Sequence, residues 1–133
     1  MGRRICKGPD AVRMLRAMNA GVLGMVRAGH DVIVDGEAYE PEVNAELHGQ
    51  LRGEAGSGAV DCSIVELTAD VQGLLDRQQR HTHPAELAES QSRQGWICPD
   101  PDLHVDTGGK STETVLRSVW QFLVRRHPQL QVR

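Results

Sequence analysis

The stretch from Gly8 to Tyr39, GPDAVRMLRAMNAGVLGMVRAGHDVIVDGEAY, limits the choice of fold most. It reads as one long amphipathic helix running into a wholly apolar strand that ends in a carboxylate. Val12, Leu15, Met18, Val22 and Met25 recur at the spacing that puts side chains on one helix face, and such a stripe requires cover. Asp10 is placed to cap the helix start, and Gly29 suits the left-handed C′ position that closes a helix. Asp31-Val32-Ile33-Val34-Asp35 follows at once. Three consecutive β-branched residues without polar alternation predict a strand buried on both faces, as parallel strands are beneath their crossover helices. The unit is therefore the helix-to-strand step of an α/β fold.

The remaining chain repeats that alternation. Pro41 to about Arg52 predicts a second helix with Pro41 in its first turn and Val43 and Leu47 as a thin apolar face; Gly53 to Gly58 reads as a flexible connection. Val60 to Leu67 predicts the next strand, and Thr68 is placed to cap a third helix holding Val71, Leu74 and Leu75. The polar run 77–95 contains Pro84 at the head of a short helix and reads as a lid-like segment. Pro99-Asp100-Pro101 is a rigid turn, Leu103 to Asp106 a third strand, and Ser111 to Arg126 a last helix with Val115, Val119, Phe122 and Leu123 inward. Arg125, Arg126 and His127 before Pro128 form its stop. Alternation of this kind implies one α/β domain over 1–133, with a parallel three-stranded sheet and flanking helices joined by right-handed crossovers.

Gly8-Pro9-Asp10, the helix ending Met25-Val26-Arg27-Ala28-Gly29 and the strand Val32-Ile33-Val34-Asp35 resemble the middle of the chloramphenicol phosphotransferase-like group of P-loop small-molecule kinases, and the likeness continues to Thr107. The resemblance implies a truncated P-loop kinase-like domain of three-layer α/β/α type. In that family the matching segment follows a first strand, a GxxxxGK[ST] phosphate loop and a second strand with the catalytic aspartate. Here the sequence starts at Met1, shortly before Gly8, so those parts are expected to lie outside it. The first strand sits mid-sheet in the family, between the strands matching Val32–Asp35 and Val60–Leu67. Its loss predicts two unpaired inner edges that close on each other, take a strand from a second chain, or mark a fragment. A homodimer through those edges is one outcome. The kinship leans chiefly on Val32–Asp35 taking its place in a parallel sheet.

Candidate chemistry follows. Asp35 ends an apolar strand in the manner of the carboxylate that helps hold Mg²⁺ beside phosphates, or else simply opens a turn with Gly36. Gly108, Gly109 and Lys110, with Ser111 and Thr112, lie between a strand and a helix, yet the spacing of a phosphate loop fails because its first glycine would fall at His104. The turn is open to three readings: a plain loop and helix cap, an anion site at a helix start, and the contact beside the nucleotide base that the resemblance implies. Arg77 and Arg80 stand where the family's lid arginines clamp a phosphoryl group, work suited to planar guanidinium donors. A solvated helix end is the plain alternative. His81, His83, Cys98 and His104 are of zinc-ligand type, but their spacing fits no standard module, so no metal site is assigned.

Composition enters as exclusion. A net charge of −3 without a basic block, and only 3% aromatic residues, leave little with which to hold a nucleic acid. No apolar run reaches bilayer-spanning length, so no membrane partner is expected. Cys6, Cys62 and Cys98 are odd in number and widely spaced, which favours a reducing, cytoplasmic setting over a disulfide framework. The expected function is that of an ATP-dependent phosphotransferase-like domain, acting with Mg²⁺ on a hydroxyl of a small molecule such as an antibiotic. As an isolated chain it is expected to be inactive for want of the phosphate loop. The alternative is a non-catalytic remnant or interaction domain that keeps the fold.

Overall fold

The computed structural model describes residues 8–35, 40–58, 60–78 and 100–131. The chain divides into two compact units, Met1–Cys62 and Ser63–Arg133. Among the described residues no helix is long and apolar enough to cross a membrane.

The first unit is a helix pair, α1 (Pro9–Arg27) and α2 (Pro41–Gly56). Gly8 occupies the N-cap with Pro9 in the first turn, so Asp10 stands inside the helix and pairs with Arg13 instead of capping. The C-terminus closes as expected: Gly29 adopts φ 86°, its N–H donates to the Val26 carbonyl at 2.9 Å, and the His30 N–H donates to Met25 at 3.1 Å. This double closure relies on a residue without a Cβ at position 29. The helix α2 runs past the expected end at Arg52, because Gly53 to Gly56 remain helical; Glu54 is anchored to Arg27, and the Ser57 hydroxyl closes the last turn on the Glu54 carbonyl at 2.7 Å.

Contacts between the helices set their direction. Arg16 binds the Glu46 carboxylate through two nitrogens at 2.9 and 2.6 Å, Asn19 Nδ2 donates to the Val43 carbonyl at 3.1 Å, and Arg27 binds Glu54 at 2.9 and 2.5 Å. Early residues of α1 meet early residues of α2, and late meet late, so the helices point the same way. Leu23, Val43 and Leu47 are buried apolar residues of this seam, and Ala11 is buried near the start of α1. The chain must therefore travel back along α1, and residues 30–35 lie in that return. A step of this length, roughly 16 Å for five residues drawn out, is what a strand between two crossover helices supplies.

Yet 31–35 is assigned to no strand, which corrects the expected three-stranded sheet. Ile33 is 97% exposed and Val34 is exposed. β-branched residues suit a pleated surface, but a strand exists only when a neighbour takes its backbone groups, and propensity provides no neighbour. The predicted apolar stripe of α1 also splits. Val12, Leu15 and Val22 are half-buried, whereas Met18 and Met25 are exposed, because the covered face has turned toward α2 through Asn19 and Leu23.

The second unit holds a two-stranded parallel sheet. Strand β1 (Val65–Thr68) pairs with β2 (Leu103–Asp106) in the register Val65↔Leu103 to Thr68↔Asp106. Two helices accompany it, α3 (Val71–Gln78) and α4 (Thr112–Arg126), and a 3₁₀ turn, Pro128–Leu130, follows. β1 starts later than the predicted Val60, since Ile64 is already engaged: its N–H donates to Asp102 Oδ2 at 2.7 Å, and its carbonyl accepts from the Asp102 N–H at 2.9 Å. α3 is capped by Asp70 and not by Thr68, because the Asp70 carboxylate accepts the Gly73 N–H at 2.6 Å. Ser111 caps α4 as its position predicts, accepting from the Thr114 N–H at 3.2 Å. α4 packs on β2 through half-buried Val115, Val119, Phe122 and Leu123, while Leu116 and Trp120 stay exposed. His127 ends the helix, buried, with its ring Nε2 at 2.7 Å from the Ser63 hydroxyl.

Candidate functional site

In a parallel sheet all carboxyl ends lie on one side, where the loops that follow can converge on a ligand. In the second unit those ends are Thr68 and Asp106, held level by the register. Thr107 ties them together: its N–H and its hydroxyl both donate to the Thr68 carbonyl, each at 2.7 Å, and the residue is buried.

Period-two alternation divides the sheet into faces. Val65, Leu67, Leu103 and Val105 share one. Glu66, Thr68, His104 and Asp106 share the other. On the polar face the His104 Nε2 lies 2.9 Å from the Thr68 hydroxyl and 3.8 Å from the Glu66 carboxylate. Glu66 is buried although it is charged in water, and His104 is open to solvent. Sequence reasoning did not assign this face; the polar residues at 66, 68, 104 and 106 are the signal that could have revealed it.

The loop after β2 is folded in on itself. The Asp106 carboxylate accepts the Gly108 N–H at 2.9 Å, Lys110 Nζ donates to the Asp106 carbonyl at 2.7 Å, and the Lys110 N–H donates to Thr107 at 3.3 Å. Gly109 holds φ 63°, so a side chain there would be strained. The Gly108 N–H and the Lys110 side chain are thus engaged within the turn, next to a carboxylate. Gly108, Gly109 and Lys110 stand together as one turn opening onto α4.

The other expected site residues belong to other segments of the chain. Asp35 belongs to the first unit, exposed in the return connection. Arg77 is in the last turn of α3, and Arg80 lies outside the described residues, as do His81, His83 and Cys98. Among the described residues no group of three or more His, Cys, Asp or Glu is arranged to hold a metal ion.

The first unit has a hollow of about 200 Å³ bordered by Arg16, Asn19, Leu23, Glu46 and Leu47. Its charges neutralise each other: the hydrogen bond from Arg16 holds the Glu46 carboxyl below its ordinary value, and the same bond raises Arg16. Next to it in α2, burial and then the positive charge of Arg52 lower His48 from its ordinary value. No family profile, curated protein or solved structure matches this chain.

Proposed function

We propose that the chain is a non-catalytic interaction domain of mixed α/β structure that works when its apolar surfaces are covered by another polypeptide. The supporting observation is Ile33, 97% exposed in a run of β-branched residues between two helices that point the same way. Surface of that kind costs free energy in water and is normally found beneath neighbouring strands. Leu67, exposed on the same sheet face as buried Val105, adds to it.

The kinase reading comes second, since the strand on which the resemblance leaned most has no ladder. Its support is the order of strand, Asp106-Thr107-Gly108-Gly109-Lys110 turn and helix at the carboxyl end of a parallel pair. In that reading ATP and Mg²⁺ bind with a phosphate loop from outside these residues and Gly108 to Lys110 flank the base, while Asp35, Arg77 and Arg80 keep only the metal and phosphate roles that the resemblance implies. Phosphoryl transfer rests on positioning and charge stabilisation, and the inward donors of the turn offer neither.

Calorimetry of the chain with Mg·ATP separates the two. The expected result is no measurable binding and no transfer to a small hydroxyl acceptor such as chloramphenicol. Tight binding that Asp35→Ala abolishes would restore the kinase reading.

A further inference from the structure

One feature of α1 is used neither by α2 nor by the site. Met14, Met18 and Met25 are 52%, 60% and 46% exposed, and Gly21 falls between them. Their spacing of four, three and four is that of a seam on which a second helix seats. The flanks are small and uncharged, with Ala17, Gly24 and Ala28 also exposed. From Met14 to Met25 the charged residue is Arg16, which is turned away and held by Glu46.

The order of side chains along the seam points to its occupant. Rotation by a two-fold axis midway between Asn19 and Ala20 sets Met14 opposite Met25 of a second copy and Met18 opposite Gly21. Each long thioether then enters the gap that the other copy's glycine leaves. The register also opposes the two helix dipoles. A same-direction pairing would instead face methionine with methionine and align the dipoles. From this self-complementary spacing we infer that α1 is a homodimer surface, two copies meeting antiparallel through the Met14–Met25 face.

Sedimentation equilibrium on the full chain tests the pairing with two variants. A Cβ at Gly21 would meet open space within its own chain, and Gly21 has ordinary helical backbone, so Gly21→Leu should raise helicity and thermal stability while filling the gap that Met18 enters. The expected result is a concentration-dependent dimer whose dissociation constant rises about tenfold or more in Gly21→Leu, with Met18→Glu as an independent disruption. Circular dichroism of both variants should retain the helical signal. A chain that stays monomeric up to about millimolar concentration overturns the inference and leaves the face to another protein or a lipid surface. A dimer indifferent to both substitutions overturns it as well.

Discussion

His48 carries the clearest pH signature at the scale of single residues. Burial, then the charge of Arg52, holds its imidazole below the ordinary value of 6.5, so the folded chain refuses a proton that the unfolded chain accepts. Stability is therefore full above that value and declines as the pH falls through it, because the unfolded state binds more protons there. Glu46, held below 4.5 mainly by the Arg16 hydrogen bond, adds a further loss under more acid conditions. Denaturant midpoints of the first unit should fall between pH 7.5 and 5.5, and His48→Gln should flatten that fall. An unchanged pH profile in the variant would place the titration elsewhere. Neither effect was legible beforehand, because proximity of 16 to 46 is a tertiary fact. Gly29 was legible, since its role is local and only the left-handed conformation closes the helix there.

Elements were read well where a helix carried its own punctuation. Pro41 and Ser111 mark real starts and His127 before Pro128 a real stop, whereas at the first helix Gly8 takes the cap expected of Asp10. Strands fared less well. Four residues in β1 and four in β2 stay paired because Asp102 clasps Ile64 at one end and Thr107 clasps Thr68 at the other, side-chain bonds that no periodicity announces. The end of α2 was missed for a related reason, since glycine suggested a break where an ion pair to α1 keeps the helix going. Gly49 and Gly53 sit inside α2 with open space around them and ordinary helical backbone. Replacing either with alanine should raise unfolding free energy by about 0.5–1 kcal/mol, chiefly by removing freedom from the unfolded chain. Thermal melts followed by circular dichroism check this, and a loss of stability would mean that α2 needs those gaps for a neighbour.

For the whole molecule, the α/β pattern was legible but the number of paired strands was not. Pattern reports which residues want burial, and it is silent on whether anything arrives to bury them. Among the described residues no large side chain is fully buried, and Ile33, Leu67, Leu116 and Trp120 remain exposed. Because Ile33 is almost entirely in water, Ile33→Thr should change stability by less than about 0.5 kcal/mol. The same variant should lower binding of a hydrophobic fluorescent dye. A stability loss near 2 kcal/mol in a urea titration would show that Ile33 is covered in solution and that the chain finds its cover unaided.

The Asp102 clasp also has a kinetic meaning. Ile64 and Asp102 are separated by 38 positions, so joining them closes a long loop before any ladder bond repays the closure. The entropy involved, about 3 kcal/mol, is set against two strands of four residues. The contacts of α4 are local and start from its own Ser111 cap, so pairing of the two strands is expected to be the slow step of this unit, read as a folding rate that Asp102→Ala lowers.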